Sequence, residues 1–140
     1  MVLISSDKAA APSCVMGATK WLCEETLRAC GSVWPATSYV AARCGNVLGM
    51  RGSVVPLFYE QIRRGGPVTV TNKEVCRFFM TIDAAVSLIF KASNLMQDRE
   101  IFILKDMAVL KIYDLAKAMI ELYAPKFGHD PKGIKIKITG

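Results

Sequence analysis

The chain has 140 residues, 52% hydrophobic and 21% charged, with 18 Lys+Arg against 12 Asp+Glu and a formal net charge of +6. That length suits one domain with a real hydrophobic core, and the balance excludes a disordered chain, which needs low hydrophobicity and a high net charge. Ten glycines and six prolines exclude collagen-like and low-complexity classes. No apolar run approaches the ~20 residues of a membrane span, and the apolar start at residues 1–4 is too short for a signal-peptide core. A soluble, cytoplasmic protein is the expectation.

The positive charge is spread evenly. Residues 1–70 carry 7 basic and 4 acidic side chains and residues 71–140 carry 11 and 8, so each half is +3 and neither holds a basic arm. A nucleic-acid binder concentrates its charge, so a mildly basic surface or a site for anionic small molecules is expected instead, with no nucleic acid and no membrane. The five cysteines (Cys14, Cys23, Cys30, Cys44 and Cys76) form no CxxC pair. The single histidine, His129, lies far from them in sequence, so no metal site is predicted. Free, mostly buried thiols are expected, with His129 in a loop.

Residues 1–4 read as the end of a buried strand running into the turn Ser5-Ser6-Asp7-Lys8. A helix follows from Pro12-Ser13 to about Cys30, stopped by Gly31. Residues 37–43 read as a strand and residues 45–52 as a Gly-rich loop. A helix over 54–64 ends at Gly65-Gly66, and residues 68–71 alternate as a short strand. Residues 82–93 are helical, with Ala85, Val86, Ile89 and Phe90 on one apolar face. Residues 101–104 read as a fully buried strand and residues 112–123 as an amphipathic helix closed by Pro125. Ile134, Ile136 and Ile138 alternate with lysines in a last strand. Alternating strands and helices predict an α/β protein with a mainly parallel sheet. Beginning and ending on core strands is the pattern expected of a segment from a longer protein.

Four places invite chemistry. Ligands of open α/β sheets bind at the carboxyl ends of strands, where the Ser6-Asp7-Lys8 turn falls; its acid and amine could serve catalysis, or the turn is simply solvated with Asp7 as a helix cap. Met16 and Lys20, four apart on one helix face, place a cation on a side expected to face protein. Lys20 either snorkels or donates to a polar ligand such as a nucleotide ribose. The loop Gly45–Gly52 has G-x-x-x-G-x-x-G spacing, which fails both the dinucleotide fingerprint and the P-loop. Arg77, amid Cys76 and Phe78-Phe79-Met80, suits a carboxylate pair or a bidentate phosphate clamp equally.

Seven stretches in register resemble the nucleotide-sugar 4,6-dehydratases of polysaccharide biosynthesis, within the extended short-chain dehydrogenase/reductase superfamily. They are Ile4-Ser5-Ser6-Asp7-Lys8-Ala9, Val15-Met16-Gly17-Ala18-Thr19-Lys20, Arg43-Cys44-Gly45-Asn46-Val47-Leu48-Gly49, Arg51-Gly52-Ser53-Val54-Val55-Pro56-Leu57-Phe58, Pro67-Val68-Thr69-Val70-Thr71, Arg77-Phe78-Phe79-Met80-Thr81, and residues 111–120. The resemblance implies a partial Rossmann-like sheet with a small substrate-binding portion, lacking the N-terminal dinucleotide-binding half. Residues 1–52 would end the Rossmann-like core and residues 53–140 would mostly bind substrate.

The implied function is the C-terminal part of an NAD(P)-dependent UDP-N-acetylglucosamine 4,6-dehydratase. In that family NAD(P)+ takes hydride from sugar C4, a base removes the C5 proton, water leaves from C6 and hydride returns there. By resemblance, Lys8 is the C5 base, Asp7 the acid for the departing hydroxyl and Ser6 its assistant. Lys20, Met16, Gly45 and Val47 fall on the cofactor side. Asn46, Ser53, Val54 and Arg77 fall on the UDP-sugar side. Three departures accompany the match: Met16 replaces the usual Tyr four residues before the Lys, Cys44 replaces a common Tyr, and the family's dinucleotide fingerprint does not occur in this sequence. Cofactor binding would therefore need an N-terminal half or a separate cofactor-binding chain, and a homo-oligomer is expected. The competing reading is a catalytically inactive remnant that binds a nucleotide sugar or a partner.

Overall fold

The computed structural model describes residues 1–95, 97, 99–105 and 107–140. In chain order the elements are β1 (Val2–Ser6), α1 (Val15–Val33), β2 (Val40–Cys44), β3 (Asn46–Val47), α2 (Val54–Arg63), β4 (Val68–Val70), β5 (Cys76–Met80), α3 (Ile82–Leu95), β6 (Ile101–Ile103), β7 (Ala108–Lys111), α4 (Ile112–Tyr123) and β8 (Ile136–Ile138). They form two compact units, Met1–Gly45 with Met80–Met107 and Asn46–Phe79 with Ala108–Gly140.

The first unit is a parallel sheet in the order β1-β2-β6. Val2 faces Val40 and Ser6 faces Cys44 across one ladder, while Ala41 faces Ile101 across the next. Val40, Ala41 and Ala42 are all buried, the mark of a central parallel strand covered on both faces. α1 and α3 both pack on this sheet. β1 departs from the buried strand expected. Ser5 is buried toward α1, but Ile4, on the opposite face, is 54% exposed.

A salt bridge lies under α1. Glu24 is 1% exposed. It takes Arg43 Nε at 2.9 Å on one oxygen and Arg43 Nη2 at 2.7 Å on the other, and Ser5 Oγ donates to it at 2.5 Å. The register explains the meeting: Ser5 and Arg43 are direct partners on β1 and β2, so both side chains rise from one face of the sheet beneath the helix. Burial alone would push the Glu24 carboxyl up. The hydrogen bonds from Arg43 and Ser5 and the charge of Arg43 outweigh it, leaving the group below its ordinary value.

The second unit holds an apolar core of Phe58, Ile62, Val68, Val70, Phe79, Ile112, Ala116, Met119 and Ile120, closed by Ala124 and Ile134. α4 supplies Ile112, Ala116, Met119 and Ile120 at helical spacing. β4 and β8 pair in parallel, Val68 with Ile136, and β5 and β7 pair antiparallel, Arg77 with Leu110. α2 stops where expected: Gly65 and Gly66 both adopt positive φ, and a Cβ on Gly66 would sit 2.9 Å from Ile134 Cγ2. His129 lies in a loop, its Nε2 3.1 Å from the Arg63 carbonyl oxygen.

Several expectations need correction. α1 runs through Gly31 to Val33 because Gly31 is buried on the helix's inner face, and its N-cap is Cys14, whose Sγ accepts from Gly17 N. α3 buries Ala85, Leu88 and Ala92, leaving Val86 and Phe90 exposed; the small alanines bring the helix onto the sheet. Ile103 is exposed, so β6 is not fully buried. β5 and β7 were not anticipated, and their antiparallel ladder qualifies the mainly parallel expectation. Cys14, Cys23 and Cys76 are exposed; only Cys44 is buried, and burial pushes its thiol up. Among the described residues, no helix is long and apolar enough to cross a membrane.

Removing either partner of the buried pair leaves a charge without compensation, so Arg43→Met is expected to cost about 3–5 kcal/mol, read as a lower urea midpoint. Because the Glu24 carboxyl is depressed in the folded state, its contribution is full above the ordinary carboxylate pKa and fades as pH falls through the folded value. Urea midpoints measured from neutral to acid pH are expected to decline, with Glu24→Gln flattening that part of the curve.

Candidate functional site

In the first unit the candidates gather at the carboxyl end of β1. The chain leaves the strand at Ser6 into a 3-10 turn over Asp7–Ala9. Ser6 Oγ accepts from Lys8 N at 3.3 Å and donates to Asp7 Oδ1 at 2.9 Å, and Lys8 Nζ donates to that same oxygen at 3.0 Å. The cap of this turn is thus Ser6 and not Asp7, whose carboxylate instead collects a hydroxyl and an ammonium from its two neighbours. Behind the turn, Arg43 Nη2 reaches the Ala9 carbonyl at 3.5 Å, so the buried pair also braces the segment carrying these groups.

Lys20, one turn along α1 from Met16, donates from Nζ to the Ile4 carbonyl at 3.0 Å. The Lys is thus neither snorkelling to solvent nor buried; its ammonium is tied to the strand that presents Asp7 and Lys8, with further donors on the same nitrogen. Met16 is exposed in the first turn of α1. Gly45 follows the last residue of β2, and that residue, Cys44, is the register partner of Ser6. The ends of two adjacent parallel strands and the start of α1 therefore carry Ser6, Asp7, Lys8, Lys20, Met16 and Gly45 together. Close approach is enforced at Gly17, where a Cβ would lie 2.7 Å from the Lys8 carbonyl oxygen.

The remaining candidates belong to the second unit. Asn46 and Val47 form β3, which neighbours β5 in the order β3-β5-β7. Arg77 is exposed on β5, its Nη1 donating to the Cys76 carbonyl at 3.1 Å. Among the described residues no carboxylate pairs with Arg77. Ser53 and Val54 open α2. Ser53 holds the N-cap position without making a capping bond, and its Oγ is buried with no hydrogen-bond partner among the described residues. A native buried hydroxyl left unsatisfied calls for an explanation, and a polar ligand is one. Sequence reasoning missed Glu24 and the brace it makes with Arg43. The cue was there in outline, since a Glu on the inner face of a helix requires a cation, but the partner is 19 residues away.

Across residues 1–140 the sequence matches the family described as polysaccharide biosynthesis protein. The chain belongs to that family. It is 47% identical to the uncharacterized membrane protein MJ1061 of Methanocaldococcus jannaschii, over 99% of this chain and 42% of that protein. It is 51% identical to the capsular polysaccharide biosynthesis protein CapD of Staphylococcus aureus, over 89% of this chain and 21% of that one, and 36% identical to the UDP-glucose 4-epimerase of Rickettsia canadensis, over 90% and 37%. Among solved structures, Pen from Bacillus thuringiensis superposes with a TM-score of 0.92 at 37% identity, over 99% of this chain and 42% of its own. The dTDP-glucose 4,6-dehydratase of Bacillus anthracis, solved with NAD, shares the fold alone, with a TM-score of 0.81 at 15% identity over 99% and 49%. The architecture is that of the C-terminal portion of extended short-chain dehydrogenase/reductase enzymes. The chain spans less than half the length of these relatives.

The Gly17 contact gives a local test. Ala is the better helix former by about 1 kcal/mol, but the clash is with backbone that cannot swing aside. Gly17→Ala is expected to lower stability by about 1–3 kcal/mol rather than raise it, measured by urea denaturation.

Proposed function

We propose that this chain is the C-terminal part of an NAD(P)-dependent 4,6-dehydratase acting on UDP-N-acetylglucosamine, as the sequence resemblance implies. The observation that carries the reading is the Lys8–Asp7 contact of 3.0 Å at the end of β1. Moving one proton along that contact turns ammonium and carboxylate into amine and carboxylic acid, the pair that such a dehydration requires. The Lys8 amine takes the C5 proton, made acidic by a ketone at C4. The Asp7 carboxyl gives its proton to the C6 hydroxyl as it leaves, and the Ser6 hydroxyl holds Asp7 in place.

The cofactor side fits a nicotinamide ribose in its donor set. Lys20 keeps free N–H capacity beside the Ile4 carbonyl, and Gly45 adds a side-chain-free backbone at the next strand end. When bound, the nicotinamide would accept hydride from C4 and return it to C6. In the second unit, the Arg77 guanidinium suits the substrate pyrophosphate, the orphaned Ser53 hydroxyl would find its partner on the nucleotide sugar, and Asn46 and Val54 add contacts.

The glycine fingerprint for the cofactor pyrophosphate would come from a further segment, in the same polypeptide or a separate chain. That segment would cover Ile4 on the edge strand β1 and the exposed Ile82, Val86 and Phe90 on α3. Residues 1–52 then serve mainly the cofactor side and residues 53–140 mainly the substrate. Met16 favours a second reading: its thioether cannot exchange a proton where the family's Tyr would, as in a remnant that binds the nucleotide sugar without turning it over.

Two measurements separate the readings. Supplied with a UDP-4-keto-6-deoxy sugar in deuterated water, the chain is expected to exchange the C5 hydrogen with no hydride step, and Lys8→Ala to slow that exchange at least ~100-fold. No exchange above the solution rate favours the remnant. In calorimetric titration with UDP-N-acetylglucosamine, Arg77→Ala is expected to weaken binding at least ~10-fold; unchanged affinity removes Arg77 from the phosphate role.

A further inference from the structure

The even spread of charge along the sequence does not survive folding. The unit Met1–Gly45 with Met80–Met107 holds 7 basic and 7 acidic side chains, and the unit Asn46–Phe79 with Ala108–Gly140 holds 11 and 5. The whole surplus of +6 therefore belongs to the second unit. Three of its cations, Lys132, Lys135 and Lys137, are exposed and stand within or just before β8. Their ammonium groups have no ion pair among the described residues.

β8 has one neighbour, β4, in a two-stranded parallel sheet. Val68 N donates to the Lys135 carbonyl at 2.9 Å and Thr139 N to the Val70 carbonyl at 3.0 Å. These bonds turn the backbone of residues 135, 137 and 139 toward β4. By the alternation of a strand, the N–H and C=O groups of Ile136 and Ile138 point the other way. The two edges of this sheet differ. On β4 the outward N–H, that of Thr69, donates to Gln61 Oε1 at 3.0 Å, and Gln61 Nε2 donates to Thr69 Oγ1 at 2.7 Å. A side chain closes that edge. On β8 neither a side chain nor a strand does so among the described residues. Beside β8 lies instead a cleft of about 360 Å³, walled by Lys117, Ile120 and Glu121 of α4, by Lys132, and by Ile134 and Ile136.

Lysines on an edge strand are the usual guard against unwanted pairing, and this guard is selective by charge. It repels a second β8, which would set lysine against lysine, and attracts an acidic strand. Side chains alternate along a strand, so a segment paired to β8 would set every second residue beside Lys135 and Lys137. The residue between them would fall beside Ile136 and the apolar floor of the cleft. We propose that the open edge of β8 is a strand-addition site for a partner protein's extended segment of alternating acidic and apolar residues. Backbone bonds to Ile136 and Ile138 supply the pairing, and Lys135 and Lys137 select the sign of the partner's charge. Neither β4 nor β8 carries a residue assigned to substrate or cofactor, so the site stands whether or not the chain turns over a nucleotide sugar.

The probe is a short blocked peptide of alternating glutamate and valine, titrated into the isotope-labelled chain and followed by amide NMR. The Ile136 and Ile138 amides are expected to shift saturably, and at ten times Kd their hydrogen exchange should slow about 10-fold. A lysine–valine peptide, and a glutamate–valine peptide N-methylated along its pairing edge, should leave both amides unmoved. Ile138→Pro removes one outward N–H at a position where an edge strand tolerates proline, and should weaken binding about 5-fold. Lys135→Glu combined with Lys137→Glu, both at exposed positions, should reverse the preference to the lysine–valine peptide. Circular dichroism checks that Ile138→Pro keeps the fold, and the double variant carries the test if it does not. No shift with the glutamate peptide, equal shifts with its N-methylated form, undiminished affinity in a folded Ile138→Pro chain, or an unreversed preference in the double variant would each overturn the proposal. Protection of the same two amides by anionic phospholipid vesicles and not by the peptide would also refute it, making this surface a membrane contact.

Discussion

The buried bond between Glu24 and Arg43 is the constraint on which the first unit depends. A carboxylate beneath a helix is tolerable only when it is paired with a cation and well hydrogen-bonded. Here two guanidinium N–H groups and the Ser5 hydroxyl meet it. One interaction thereby fixes α1 on the sheet, the pairing of β1 with β2 at Ser5 and Arg43, and, through the Ala9 carbonyl, the turn that carries Asp7 and Lys8. The turn's geometry is set by polar bonds and a close glycine contact rather than by apolar packing. Such placement is stiff: a shift of the helix would break several hydrogen bonds at once.

Polar anchoring also explains the arrangement of Lys20. Its bond to the Ile4 carbonyl joins the second turn of α1 to the centre of β1, so the same helix is tied to the same strand at two heights. The second unit is built differently, from apolar side chains of α2, α4, β4 and β8; of its candidate residues Arg77 is exposed, and the buried Ser53 hydroxyl has no hydrogen-bond partner among the described residues.

Much of this was legible in the sequence, and the exceptions have physical causes. α2 and α4 were readable because apolar periodicity and an unambiguous stop agreed, Gly65-Gly66 in one case and Pro125 in the other. α1 was cut short at Gly31 because a glycine that ends a helix and a glycine that is buried inside one are the same letter. The expected face of α3 included Ala85, which is buried, but was turned too far toward Val86 and Phe90, whose bulk draws the eye, whereas Leu88 and the small Ala92 complete the side that approaches the sheet. β5 and β7 are short and pair across a long stretch of intervening chain, so neither carries its own signature. The acid–amine turn was visible from its place after a strand. The brace behind it was not, because Glu24 and Arg43 meet only through the register of two strands.

The first unit is interrupted in sequence: β2 pairs with β6 only after the chain has passed through all of residues 46–79. Ala41 and its ladder partner Ile101 are about 60 residues apart, so the loop to be closed is long and its entropy cost falls on folding speed. During synthesis, β1, α1 and β2 can assemble as a local βαβ piece well before α3 and β6 emerge. Until then the far edge of β2 stands open to whatever strand is nearest, and this nascent interval is when mispairing with a neighbouring chain is most dangerous.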